Sequence, residues 1–402
     1  MDYKTSPPVH SLHPPSSVSL CPTHATLIFL PLAYTFLFLT ALPGNMLSLW
    51  VFHRRISAVS PINVYLSHLS ASNLILSLTA PFLGAYYGWG AAWTFRGFLC
   101  QVVLHAATPV LHINIYIGLM ILTWVAFSRF VSLMQHTHAS RPSACVALMP
   151  TGLTSCLKKV SFARGVCAAV WLINIAAIVP VTVFYGVKEA ISANGTTSEG
   201  GKCYNPTVEV GGSTSAACNL SAIAIFYVCY VLVLVSYMTV VRHIRRSRRS
   251  AHVATSQSLL GRVLRNIVVI QIVLSVCLLP HHIFKPIFIS LASKQAELTP
   301  RHDIGCHPLS GLVEVKNSLL FLAALRGSTD PVMYFFLDKR FRQQTLKLFG
   351  KEKSVRDVGV AMEQDEDKKT MKKTTKKKKK TNKTAMKKMT KKMKMTTTKR
   401  RR

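Results

Sequence analysis

The sequence is poor in acid. Fifteen Asp and Glu stand against 49 Lys and Arg in 402 residues, a formal charge of +34 at pH 7. Yet 50% of the residues are hydrophobic, and the mean hydropathy is +0.30. A soluble domain does not combine these values. Apolar runs separated by basic loops do, so the chain reads as an integral membrane protein.

Other absences narrow the chemistry. The ten cysteines include no CxxC pair and no His/Cys array at ligand spacing, which argues against structural zinc and leaves no metal site to name. HExxH, P-loop and G-x-S-x-G patterns are missing, so nothing points to an enzyme or to a cofactor. An internal repeat with matching broken helices, common in transporters, is also lacking. Residues 1–24 are rich in Pro, Ser and His, without an apolar core or a cleavage-site pattern. They are expected to form a disordered extracellular tail rather than a signal peptide.

Seven apolar segments follow, at about Ala25–Phe52, Asn63–Tyr87, Leu99–Leu133, Ala163–Tyr185, Ala216–Val241, Arg262–Leu291 and Leu309–Leu337. Each is long enough as a helix to span a hydrocarbon core of ~30 Å. The expected fold class is all-α, a seven-transmembrane helix bundle over residues 25–337. The last segment is the odd one. Arg326, Asp330 and Pro331 interrupt its apolar run, and Tyr334 follows Asp330 by one turn. Ionisable residues in such a helix are costly and mark function. The proline frees a carbonyl that a neighbour must satisfy. Arg326 and Asp330 lie four residues apart, where their side chains can face each other.

Basic groups follow segments one, three and five: His53-Arg54-Arg55, then Lys158, Lys159 and Arg164, then the cluster from Arg242 to Arg249. The loops after segments two, four and six carry mixed charge, as in Lys188, Glu189, Glu199 and Lys202. That asymmetry puts the N-terminus outside and the C-terminus in the cytosol. Asn194-Gly-Thr196, a glycosylation acceptor, falls in a loop this topology makes extracellular, so two independent signals agree. Asn219-Leu-Ser221 matches the same pattern but lies too close to segment five to serve.

Cys167, Cys229 and Cys277 sit in apolar runs and read as small buried hydrophobes. Cys21, Cys100, Cys203 and Cys306 fall in loops or at segment ends and are disulfide candidates. Residues 338–350 space Phe341, Leu346 and Phe349 between basic residues, the pattern of a short amphipathic helix on the inner leaflet. Residues 351–402 read as a disordered Lys/Thr/Met-rich cytoplasmic tail, with 19 basic residues between Lys368 and Arg402. Such a tail is either simply solvated or drawn to anionic membrane lipids, at ~1 kcal/mol per basic residue near the surface. Nucleic-acid binding would rest on this tail alone, and the membrane topology argues against it.

Motifs narrow seven spans to one family. They are Gly44-Asn45 in segment one, Trp93 and Cys100 before and at the start of segment three, and Ser128-Arg129-Phe130 at its cytoplasmic end. Trp171 and Pro180 follow in segment four, Tyr237 in segment five, Cys277-Leu-Leu-Pro280 in segment six, and Asp330-Pro-Val-Met-Tyr334 with Phe341 beyond it. Each is weak alone and specific in this order. On them the chain resembles the rhodopsin-like (class A) G-protein-coupled receptors over about residues 25–349. The resemblance implies a multi-pass plasma-membrane receptor that converts an extracellular signal, or basal activity, into activation of a heterotrimeric G protein. The rival reading is a transporter that uses the intramembrane Arg326/Asp330 pair.

The resemblance assigns roles and exposes departures. It implies that Arg129 packs towards the G-protein α-subunit in the active state; otherwise it is a cation anchoring a helix end. The acid and the tyrosine that usually flank it are Ser128 and Phe130 here. The local ion pair that restrains the off state is thus missing, and elevated basal signalling is expected. Tyr237, Asp330, Pro331 and Tyr334 complete the implied switch. Cys277, Leu278 and Pro280 form the implied helix-six hinge, with leucine at the aromatic switch position.

The family's aspartate in segment two and asparagine before the segment-seven proline are exchanged here, as Asn73 and Asp330. The allosteric sodium site is therefore expected to be lost, with Arg326 supplying a fixed cation in a polar core that includes Asn45. Cys100 and Cys203 match the family disulfide. A second bridge, Cys21 to Cys306, occurs in nucleotide- and lipid-type relatives, and an extracellular location permits both. His281, His282, Lys285 and Lys316, near the outer mouth, are the ligand-binding candidates. Purinergic relatives use a His-x-x-Arg/Lys motif here, and a cation facing a half-desolvated cavity favours phosphate or carboxylate. The implied ligand is an anionic small molecule or lipid; the bland alternative is that both lysines snorkel to water. Ala324 stands at the retinal-lysine position, so photoreception is not expected.

Overall fold

A computed structural model describes residues 19–56, 60–138, 155–186, 202–248, 254–298 and 306–348. Long helices dominate it. Helix α1 runs Ala25–Arg55 and α2 Pro61–Trp89. Helix α3 joins Phe98–Val102, Val103–Ala107 and Thr108–His138, and α4 joins Val160–Val179 to Pro180–Gly186. A short helix, Pro206–Val210, precedes α5, Ser213–Arg248. Helix α6 joins Ala254–Val273, Leu274–Leu278 and Leu279–Leu298. Ser310–Leu337 is α7 and Lys339–Leu348 is α8. By length and composition α1 to α6 can cross a membrane. Helix α7 has 28 residues, but Glu314, Lys316, Arg326 and Asp330 lower its apolarity.

Local chemistry sets the ends and kinks. Ser60 caps α2 by accepting from Asn63 N at 3.4 Å, with Pro61 at the first helical position, where its missing N–H costs nothing. Asp338 ends α7 and caps α8, its Oδ1 accepting from Phe341 N at 2.9 Å. In α6 the ring of Pro280 offers no N–H to Val276. The preceding turn, Leu274–Leu278, widens to π-helical geometry, and Leu279 N donates to Leu274 O instead. Helices α3 and α6 overrun the apolar segments expected at Leu99–Leu133 and Arg262–Leu291. Their polar ends stay helical, and a hydropathy pattern does not register that.

Which faces are buried says where the core lies. Tyr34, Leu37, Leu66, Leu76, Leu111 and Ile115 are almost fully buried among the helices. Leu32, Leu39, Leu172 and Val228 point outward at 61–68% exposure. Such apolar outer faces would aggregate in water and suit hydrocarbon, so the bundle is a helical membrane protein. Cys167 and Cys277 are buried thiols within it.

Two disulfides tie its loop end. Cys100 joins Cys203 across a Cα separation of 5.9 Å, and Cys21 joins Cys306 across 5.3 Å. Backbone bonds reinforce each. Cys203 N donates to Trp93 O at 2.8 Å, and His307 N donates to Ser19 O at 2.9 Å. Glu314 Oε1 adds three bonds, accepting from Thr23 N and Oγ1 at 2.7 Å and from Thr26 Oγ1 at 2.8 Å. Asn194 and residues 351–402 lie outside the described residues.

Candidate functional site

The ionisable residues of α7 meet inside the bundle. Arg326 Nη1 is paired with Asp330 Oδ2 one turn away, and both side chains are fully buried. Asn73 of α2 donates from Nδ2 to the same carboxylate oxygen at 2.7 Å. The other guanidinium nitrogen, Nη2, donates to Asn114 Oδ1 at 2.9 Å, Asn114 O at 3.1 Å and Asn73 Oδ1 at 3.3 Å. Asn114 Nδ2 in turn donates to Asn73 Oδ1 at 2.9 Å and Ser72 Oγ at 3.0 Å. Buried charge is tolerable only when paired and hydrogen-bonded; this network supplies the pairing and most of the bonds, leaving Arg326 Nε and Asp330 Oδ1 without a partner among the described residues.

Asn45 extends the network to α1. Its Oδ1 accepts from Asn73 Nδ2 at 3.2 Å, and its Nδ2 donates to Gly327 O at 2.8 Å. That carbonyl is the one Pro331 leaves without its helical donor, so Asn45 is the neighbour the proline requires. Gly44 permits the approach: a Cβ on it would lie 3.1 Å from Pro331 Cγ. Gly118 makes room on α3, because a Cβ there would overlap the Arg326 guanidinium. The sequence reading identified Asn45, Asn73, Arg326 and Asp330 but missed Asn114 and Gly118. The available signal was a lone buried-type amide in an apolar run with a glycine four residues on, on the same face.

At the other end, α3 and α6 converge on the last carbonyl of α7. Arg129 Nη2 and Asn266 Nδ2 each reach Leu337 O at 3.4 Å. Ser128 is buried beside Arg129, and its hydroxyl has no hydrogen-bond partner among the described residues. Phe130 and Tyr237 are part-buried. Tyr334 is fully buried, its ring 5.8 Å from Phe52 and 6.0 Å from Phe341 between centroids. Leu278 and Cys277 are buried in the π-helical turn ahead of Pro280.

The loop end holds a cavity of about 530 Å³ between α2 to α7 and the short helix Pro206–Val210. His281, Lys285 and Lys316 line it; His282 does not. Residues 281 and 285 share one helical face, whereas 282 is turned about 100° from 281. His282 instead stacks on Phe226 at 3.8 Å and bonds Leu278 O through Nδ1 at 2.8 Å. The expectation that His282 would face the ligand is corrected accordingly.

Lys316 is not free in the wall either. It forms an ion pair with buried Glu209 at 2.8 Å, and Asn317 Nδ2 and Tyr86 Oη donate to the same carboxylate at 3.0 and 2.6 Å. Glu209 is not marked in the sequence because the helix that carries it has only 5 residues, too short to show a period. Lys285 is nine-tenths buried, with no hydrogen-bond or ion-pair partner among the described residues.

Comparison with known proteins gives a consistent picture. The family model described as "7 transmembrane receptor (rhodopsin family)" matches residues 44–334. Probable G-protein coupled receptor 82 of Homo sapiens is 34% identical over 334 residues, covering 83% of this chain and 95% of that protein. Its Mus musculus counterpart is 32% identical over 338 residues, covering 84% and 99%. A purinoceptor of Rattus norvegicus is 27% identical over 326 residues, covering 81% and 86%.

Proposed function

The chain belongs to the rhodopsin family of seven-transmembrane receptors, and from that premise we propose a receptor for an anionic small molecule or lipid, coupled to a heterotrimeric G protein. It is a multi-pass protein of the plasma membrane, and not an enzyme. The transporter reading has no support: the matching family is one of receptors, and Arg326 and Asp330 are paired with each other at 0% exposure.

In the reading we favour, α7 is the seventh span despite its charges, the N-terminus is extracellular and the C-terminus cytoplasmic. Helix α8 lies on the inner leaflet, and the Lys-rich residues beyond it are drawn to anionic lipid. Asn194 carries glycan on the outer side. The Arg326–Asp330 network is the fixed polar core about which α7 moves, standing in for a sodium ion. Arg129, Tyr237 and Tyr334 act at the inner end, where the G protein docks.

The observation that carries the ligand class is Lys285, an amine buried in the cavity wall without a partner among the described residues. A buried unpaired charge is expensive, and a bound anion removes that cost. One relative is named as a purinoceptor. The test is nucleotide exchange on a G protein in membranes expressing the chain, with anionic metabolites and lipids applied. Lys285→Ala abolishes the response to an active anion; an agonist whose potency ignores that change contradicts the reading.

A further inference from the structure

Glu209 fills the place an outside anion would take. It enters the cavity from the short helix Pro206–Val210, just past Cys203, which the disulfide to Cys100 fixes at the head of α3. Its carboxylate accepts from Tyr86 Oη at 2.6 Å, Lys316 Nζ at 2.8 Å and Asn317 Nδ2 at 3.0 Å, and Lys316 Nζ also donates to its backbone oxygen at 2.6 Å. A hydroxyl, an ammonium and an amide converging from α2 and α7 make a complete carboxylate site. It is occupied from within the chain.

Charge counting then limits what remains. Among the described residues, Glu209, Lys285 and Lys316 are the carboxylate and amine side chains lining the cavity; with the imidazoles of His112 and His281, which also line it, counted as neutral, at most one positive charge is left uncompensated. Lys316 is matched by Glu209, so that charge falls to Lys285 when a bound anion holds its amine protonated. Much of the remaining wall is apolar, with Leu83, Leu111, Val181, Ile225 and Leu320 among its residues. A polyphosphate would bring several negative charges to one uncompensated cation in a half-desolvated space, and the excess would stay unpaired. A single anionic head on an apolar body matches both the charge and the lining.

We propose that Glu209 is a built-in occupant of the Lys316 site, and that the outside ligand is therefore an amphiphile with one negative charge, such as a long-chain carboxylate, held at Lys285. This rests on the cavity being the anion-receiving site proposed above. Glu209 is then the residue that sets ligand charge: while it holds Lys316, polyanions are excluded.

The test uses the purified full-length receptor in nanodiscs of zwitterionic lipid, with thermal midpoint as readout and decanoate, 1-decanol and inorganic tripolyphosphate as probes. Decanoate stabilises the wild type at concentrations where decanol and tripolyphosphate do not. Lys285→Met raises the half-maximal decanoate concentration at least about tenfold. Glu209→Gln leaves two lysines unmatched and gains a response to tripolyphosphate, and Glu209→Gln with Lys316→Gln loses it again. That gain and loss follow charge, which a merely structural role of Glu209 would not produce.

If Glu209→Gln fails to fold, Lys316→Gln tests the same count. The cavity is then neutral overall, and the decanoate response falls although Lys285 is untouched; an unchanged response overturns the proposal. Tripolyphosphate acting equally on wild type and Glu209→Gln overturns the role of Glu209 while leaving an anion site intact. If no anion acts on any form, the anionic-cavity reading itself is overturned.

Discussion

Arg326 and Asp330 form a fully buried ion pair one helical turn apart; Asn73 and Asn114 bind it to α2 and α3, and Asn45 joins Asn73 to α1. The pair is the centre of the bundle's polar wiring. Breaking it from one side leaves a lone charge away from water, at a cost of about 3–5 kcal/mol. Arg326→Ala is thus expected to cripple surface expression, and adding Asp330→Asn to recover part of it. Flow cytometry of epitope-tagged receptor reads this directly. No recovery in the double variant, or a sodium effect on signalling, refutes the fixed-cation account.

Gly118 is the room the guanidinium needs. Arg326 is held by partners on two other helices and cannot swing aside cheaply, so the methyl of Gly118→Ala acts as overpacking, at about 1–3 kcal/mol. The expected result is a lower thermal midpoint of the purified receptor. Combining Gly118→Ala with Arg326→Met and Asp330→Asn, which removes both the charge pair and the rigid fork, cancels most of that increment. Additive losses would contradict steric contact as the cause.

Asn45 satisfies the carbonyl that Pro331 orphans. Asn45→Ala leaves Gly327 O and part of Asn73 without partners, a loss of about 1–3 kcal/mol. With Pro331→Ala the helix can supply its own donor to Gly327, so the Asn45→Ala penalty shrinks. An equal penalty with and without the proline, by thermal midpoint, would show that Asn45 serves another purpose.

The tail is held twice, by Cys21–Cys306 and by the bonds of Thr23 and Thr26 to Glu314. Glu314→Ala alone is expected to leave the tail protected, because the covalent link keeps its local concentration high. Combined with Cys21→Ser and Cys306→Ser it exposes residues 19–26 to protease. Rapid clipping of the single Glu314→Ala variant would contradict that redundancy.

Much of this was readable from residue order alone. Apolar run length marked the helices that are long and apolar enough to cross a membrane, and the i,i+4 spacing brought Arg326 to Asp330. Asn73, opposite them, was identified through the exchanged family pair. The parts that escaped depend on packing between helices. Asn114 and Gly118 matter only because α3 crosses α7 at Arg326, and Glu209 only because a disulfide-tied loop turns back into the cavity. His282 does not line the cavity for the same reason: four residues in a row share a motif, but a helix gives them different faces. Helix ends at His138 and Ala254 were missed because polar residues continue a helix without an apolar signal.

The most direct test of the account is basal nucleotide exchange by the unliganded receptor. Residue 128, next to Arg129, is a serine and carries no charge, and Arg129 reaches the Leu337 carbonyl at 3.4 Å; in the reading we propose, no acid at that position restrains the off state. In membranes expressing the chain, exchange on a G protein is expected to exceed that of mock-transfected cells. Arg129→Ala should abolish it, and Ser128→Glu, by restoring a neighbouring anion, should lower it at equal surface expression. Exchange no higher than in mock-transfected cells, or indifferent to Ser128→Glu, would contradict the account.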